Sequence, residues 1–450
     1  MKRMASSDWV GLQVRLALDE WTRAAGPWAG SGPVYSAREH KQREKAYDHA
    51  VDEVRRSCRK QVPDPRVAEE RLTQSFARFA AEALDLGPDA IQLLTSGFLP
   101  VGKQLARWAH RFDPALSHAA VTQAARNAWT ACGMQPLFGA PLRLTPSILG
   151  YSLLYPYTDN FLDQRIVSSA DKVRFSRRFR ERLRGQPLIA EPHESRLWEM
   201  VRLIEEEFPR PGHGEVFDAL LAIHAAQEES VRQLHEAGRL TETELLHITC
   251  AKGGTSVLAD ACLVRGTLNS QQSEFAFLWG VLLQLGDDLQ DIREDLELGS
   301  DTLFTRAVRA GQPIDALAEQ LLNFANVVGA RMDALGDAES PSLNHHKDLL
   351  RMSWRSLILM TIGDAHTRFS PQFLARMEPY SPFRFAFLRR RREKLAGDHG
   401  VFERIFELVL NRDEPHDNRL PLPQERRTAA QIRQPLNFPV AADQTSFSSM

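Results

Sequence analysis

The chain has 450 residues, 43% hydrophobic and 25% charged, with a formal net charge of −2 at pH 7. This composition is ordinary for a globular protein, and so small a net charge gives no global field pointing to nucleic acid or to a membrane. The 8 Trp and 23 Phe are ample for a core or an apolar pocket, and the length admits one large domain or two to three smaller ones.

Cys58, Cys132, Cys250 and Cys262 form no C-x-x-C pair and no zinc-like spacing. Cys250 and Cys262 fall in one apolar helical stretch and read as packing residues. The start, MKRMASSDWVGLQVRL, has no apolar core of signal-peptide length. No apolar run approaches the roughly 18 residues of a transmembrane helix. A reducing cytoplasm is the expected compartment.

Strand signals are scarce and helical periodicity runs through the chain, so an all-α fold is expected. Residues 9–24 read as an amphipathic helix and 27–33 as a loop. Residues 37–60 form a charged helix with a thin apolar stripe, broken by Pro63 and Pro65, and 66–85 a further helix. Two or three more helices fill 89–132. Residues 1–135 are thus an N-terminal helical region without a chemical motif, either a subdomain or extra helices on a main bundle. Residues 136–146 read as a loop.

The helix over 147–163, SILGYSLLYPYTDNFLD, places Asp159 and Asp163 four residues apart with Asn160 between them. Residues four apart share a helix face. Carboxylates at a helix C-terminus are electrostatically misplaced, because cations are favoured there. Tyr151, Tyr155 and Tyr157 crowd the same helix, and Pro156 should kink it. The basic run from Arg165 to Arg184 reads mainly as a solvated helix face. Helices follow at 193–208 and 214–236.

Thr241 and Glu244 spell a capping box for the helix containing LLHITCAKGGTSVLADACLVRG. Its middle holds Lys252, Gly253, Gly254 and Thr255. Two helical glycines cost roughly 1 kcal/mol each against Ala, so they admit a close helix crossing, a ligand or a local break. Lys252 either snorkels outward or aims its ammonium at a phosphate; Asp260, two turns on, is expected to face the same space.

The helix over 272–298 begins apolar and turns acidic at Asp287, Asp288 and Asp291. Asp287, Asp291 and Asp295 form one row, and like charges at that spacing repel. A solvated helix end explains Glu294 and Glu297. It suits Asp287 and Asp288 less well, because they follow directly on the apolar run VLLQLG. A divalent cation would offset the repulsion, and Mg2+ takes one or two carboxylates plus substrate phosphates. Residues 302–310, 313–336, 342–364 and 382–396 read as helices. Arg389 to Arg392 are a surface patch or cap an active-site mouth. From about 412 the chain is polar, Pro-rich and aperiodic, with disorder expected.

Two helical acidic clusters with Lys252 between them resemble the layout of the class I isoprenoid synthases. LQLGDDLQD at Leu283–Asp291 is similar to the F-Q-x-x-D-D-x-x-D pattern of prenyl synthases. Gln284 stands at the family's Gln position, Asp287, Asp288 and Asp291 at its metal positions, and Gly299-Ser300-Asp301 at the following G-x-D. Lys252 with Thr255 resembles the Lys-Thr element whose Lys contacts diphosphate. Asp159 and Asp163 fall where the first motif's aspartates would be, with Asn160 in place of an Asp. The Arg177-Arg178 pair lies well beyond that motif. The degenerate first motif is most similar in style to class IB terpene synthases. The resemblance spans about residues 143–365.

The resemblance implies an isoprenoid-synthase-type helical bundle over 136–411, with extra N-terminal helices. It implies Mg2+, three ions in the family, held by Asp159, Asp163, Asp287, Asp288 and Asp291. It implies an allylic prenyl diphosphate substrate with cyclisation or elimination to a terpene. Lys252, Gln284 and an Arg such as Arg306 or Arg165 would face the diphosphate. Tyr151, Tyr155, Phe275 and Trp279 would line an apolar cavity, unless they are plain core, and Gly253 and Gly254 would leave room for the prenyl chain. A prenyltransferase of the same superfamily, elongating or head-to-head, is the alternative; a non-catalytic helical scaffold is another. No nucleic-acid partner is expected, and a homodimer is left open.

Overall fold

The structure, a computed structural model, describes residues 6–59, 65–162, 168–335 and 340–395. The described residues are helical and contain no strand, so the chain is all-α. In chain order come α1 (Ser6–Arg23), α2 (Ala37–Arg59), α3 (Pro65–Glu82) and α4 (Pro88–Gln92). A π-helical turn, Leu93–Phe98, joins α4 to α5 (Leu99–Phe112). Then come α6 (His118–Leu137), α7 (Pro146–Leu162), α8 (Ser169–Leu183), α9 (Ser195–Glu207), α10 (Gly214–Ser230) and α11 (Arg232–His235). The last stretch holds α12 (Glu242–Arg265), α13 (Ser270–Gln290), α14 (Ile292–Leu298), α15 (Leu303–Arg309), α16 (Asp315–Asp333), α17 (Pro341–Asp364), α18 (Pro371–Met377) and α19 (Phe385–Leu395).

The expected helices are present, with local differences. The helix expected over 272–298 is two helices, because Asp291 leaves the helical region at φ −94, ψ 14. The helix expected over 214–236 likewise divides at Val231. α6 continues through Pro136, into the expected loop, and α7 runs through Pro156 to Leu162. The capping box forms: Thr241 Oγ1 accepts from the Glu244 N–H at 3.2 Å, and Glu244 accepts from the Thr241 N–H at 2.9 Å. The tail from 412 lies outside the described residues. No described helix is long and apolar enough to cross a membrane.

α12 organises the packing. It is apolar nearly all round, as a fully buried helix must be, and it supplies residues to two cores. One core joins it to α1, α13, α16 and α17. The other joins its C-terminal half to α5, α6, α7, α9 and α10. Residues 1–135 contribute α1 to the first core and α6 to the second, and α6 packs directly on α7 and α12.

The α12–α13 crossing explains the helical glycines. A Cβ on Gly280 would lie 2.1 Å from the Gly253 carbonyl oxygen. One on Gly253 would lie 2.5 Å from both Gln284 Cβ and the Gly280 oxygen, and one on Gly254 2.4 Å from the Phe277 ring. The two backbones touch, and no larger residue fits. The space beside Gly253 and Gly254 is therefore filled by α13, and the room expected there for a prenyl chain does not exist. Gly280→Ala is expected to destabilise by about 2 kcal/mol, since overpacking costs about 1–3 kcal/mol against a helix-propensity gain of up to ~1. Gly286→Ala, whose Cβ would meet nothing within 4 Å, should be neutral or stabilising. Thermal or urea unfolding of the two variants checks the contrast.

Candidate functional site

Two registers locate the acidic segments. Along α13, Gly280 and Gln284 meet Gly253 while Phe277 meets Gly254, so α13 runs antiparallel to α12. Along α7, Ser147 Oγ donates to the Leu263 oxygen at 3.5 Å, and Tyr151 Oη to the Ser256 oxygen at 3.1 Å. α7 therefore also runs antiparallel to α12. The C-terminal ends of α7 and α13, which carry Asp159 and Asp287, both lie toward the N-terminal half of α12. The side chains of Tyr155 and Asp159 lie outside the described residues, as do Asp163 and Arg165 entirely.

On α13 the carboxylates divide by face. Asp288 turns inward and is 6% exposed. Its Oδ1 accepts from Gln284 Nε2 at 2.8 Å, and its buried Oδ2 has no partner. Burial pushes Asp288 up to about 7, against the pull of Gln284 and Lys252. Asp287 is reached by solvent yet is enclosed by enough protein that burial raises its carboxyl above the usual range, with Lys252 and Arg126 pulling down. Asp287 therefore stands at the solvent edge of the packed helices, with enough protein around it to disfavour its charged form. Gly286, just before it, borders open space. Asp291 is held up at about 7 by burial, then by Asp287 and Glu294. Asp295 is held at about 6 by burial and Asp287.

Lys252 stands in this field: its charge is felt by Asp287, Asp288 and Asp295. It thus reaches the acidic row from α12 as a half-buried residue. Arg126 on α6 supplies a second cation, felt by Asp287 and Asp291. Nothing in the 1–135 sequence marked Arg126, because only tertiary packing brings α6 there. The row thus sets hard oxygen donors beside two cations, and Asp288 keeps one orphan oxygen on the buried face behind it. Such donors suit Mg2+ or Mn2+ and not soft metals. Among the described residues no group of three or more His, Cys, Asp or Glu side chains is close enough together to hold a metal ion. Ligands from α7 would be needed to complete a site.

Other expected residues sit elsewhere. Arg306 pairs with buried Asp301 and donates to the Leu240 oxygen at 2.9 Å. Asp301 also accepts from the Gly238 N–H at 3.1 Å and pairs with Arg309 at 3.3 Å. This G-x-D aspartate ties the loop before α12 to α15. Phe275 and Trp279 are core: their ring centroids lie 5.5 Å apart, and Trp279 lies 5.3 Å from Trp354. Tyr151 is 9% exposed and its hydroxyl is engaged by Ser256. Asp260 does not share the space of Lys252. It is fully buried at the α6–α7–α12 junction, with Asn127 Nδ2 donating to its Oδ1 at 3.2 Å, and burial pushes its carboxyl well above the usual range.

Several arginines of the two basic runs join helices to one another. Arg178 bonds Glu194 at 2.7 Å, Arg182 bonds Glu205 at 2.6 Å, and Arg180 pairs with Glu228, joining α8 to the segment before α9, to α9 and to α10. Arg391 pairs with Asp48, and Arg392 with Asp364 at 2.7 Å, which fixes α19 to α2 and α17.

Comparison of the chain with models of protein families, with curated proteins and with solved structures finds no match.

Proposed function

We propose that the protein ionises an allylic prenyl diphosphate in a Mg2+-dependent reaction and releases a cyclised or eliminated terpene. The observation that carries this reading is the carboxylate row running from the end of α13 into α14, its carboxyls held above the usual aspartate range, with Lys252 beside it. The likeness of Leu283–Asp291 to the prenyl-synthase pattern supports it, as does the delivery of both acidic helix ends toward one end of α12.

Asp287 and Asp291, with Asp159 on α7 and Asp163 four residues on in the sequence, would hold the metal. Bound there, Mg2+ would supply Lewis-acid neutralisation of the diphosphate charge. The chain's own contribution is fixed charge and order. Lys252 and Arg126 provide positive charge for a departing diphosphate. Gln284 holds Asp288 by a hydrogen bond from its side-chain amide. An allylic cation formed there would need protection from water.

Pyrophosphate release from geranyl, farnesyl and geranylgeranyl diphosphates tests the reading. Release should require Mg2+ and proceed without isopentenyl diphosphate. Release only when isopentenyl diphosphate is added would assign a prenyltransferase instead. No release from any of them would leave a non-catalytic helical protein.

A further inference from the structure

A groove of about 350 Å³ lies between the 30–33 loop, α16 and α17. Its polar wall carries Ser31, Asn326, Arg351 and Arg355; Leu322 and Trp354 are among its apolar residues. Arg351 is already committed: it pairs with Asp333 and bonds Asp348 at 2.9 Å. Arg355 is different. No carboxylate, carbonyl or hydroxyl among the described residues takes a hydrogen bond or ion pair from it, and the titratable group acting on it is the phenol of Tyr35, which is neutral near pH 7. Burial lowers its guanidinium below the usual arginine range. The loop backbone is pressed onto it. Gly32, at φ +86, approaches so closely that a Cβ there would lie 2.0 Å from Nη1. Desolvating a guanidinium without a counter-charge is costly, and a planar donor fork matches oxyanions in particular. At the same rim Ser31 Oγ donates to Asn326 Oδ1 at 3.3 Å, which turns the Asn326 amide NH2 outward as a further donor.

We propose that this groove binds a small oxyanion, phosphate or carboxylate, carried on an apolar body, with Arg355 as its principal anchor. Arg355 takes the oxyanion, and Leu322 and Trp354 cover the apolar part. Asp333 is the one opposing charge lining the groove. The site shares no residue with the acidic row and does not depend on the reaction proposed there.

The test is calorimetric titration of the full chain in EDTA with inorganic phosphate, phenyl phosphate and phenylacetate. EDTA removes divalent cations that could bring phosphate to the carboxylates of α13. Phenyl phosphate or phenylacetate should bind more tightly than inorganic phosphate, and the preferred one identifies the head group. Arg355→Leu should weaken binding by about tenfold or more. Asp333→Asn should tighten it several-fold, and this second variant keeps the test decisive if Arg355→Leu fails to fold. Absence of binding by all three probes, or a wild-type affinity in Arg355→Leu together with no gain in Asp333→Asn, overturns the proposal.

Discussion

Replacing Asp287 by Asn is expected to cut Mg2+-dependent diphosphate release by roughly a thousandfold, the order seen when a charge-stabilising group is lost. The same change should raise the melting temperature near neutral pH. Both effects have one origin. Asp287 is desolvated and repels Asp291 and Asp295, so the folded chain carries an electrostatic cost at this site. In the proposed function such a row, kept for its ligand while opposing its own fold, is the expected trade between stability and activity. Glu297→Gln is the control: Glu297 lies on the exposed face and pairs only with Arg293, at 3.0 Å, so its activity should stay within about twofold. Steady-state pyrophosphate release and calorimetric melting measure both arms. Wild-type turnover in Asp287→Asn would remove the residue from any metal role.

The second large effect is a pH-dependent response to Mg2+. Asp288 and Asp291 are held at about 7 and Asp295 at about 6, against about 3.9 for an unfolded Asp. Below the unfolded value both states are protonated and these groups cost nothing. As pH rises from about 4 toward 7, the unfolded chain ionises first, and the native state loses stability, by a few kcal/mol in total. Buried His224 and His346, held below the ordinary histidine range by burial, act with the opposite sign. The informative quantity is therefore the stability difference between Asp288→Asn and wild type, which should grow in favour of the variant from about pH 5 to 8. On the proposed function Mg2+ would bind the ionised row, so it should raise the wild-type melting temperature near pH 8 and leave it unchanged near pH 5. A hundredfold excess of ligand over its Kd corresponds to about 2.7 kcal/mol. An equal Mg2+ shift at both pH values would show that binding occurs away from these carboxylates.

Local signals were legible along the chain. Apolar spacing marked the helices, because one buried face repeats every 3.6 residues whatever the partner is. The Thr241–Glu244 box formed as read, because a capping box is closed by residues three apart. The acidic row on α13 was legible for the same reason, since residues 287, 291 and 295 are neighbours on any helix. The break at Asp291 was not, and it leaves the row intact: the Asp291 N–H still bonds the Asp287 oxygen at 2.8 Å, and Asp295 bonds Asp291 likewise.

What the sequence determined by itself was an all-α chain with a lysine and a carboxylate row at fixed places on its helices, because short-range geometry sets helix type and helix face. The tertiary structure alone decided what lies opposite each face. It placed Gly253 and Gly254 against Gly280 and Phe277, where a ligand had been expected. It buried Phe275 and Trp279 in the core and sent Asp260 to Asn127. It brought Arg126 within the field of Asp287, and it left Arg355 without a hydrogen bond or ion pair among the described residues. These depend on contacts between residues tens to hundreds of positions apart, and a helix pattern carries no information about which distant face will cover it.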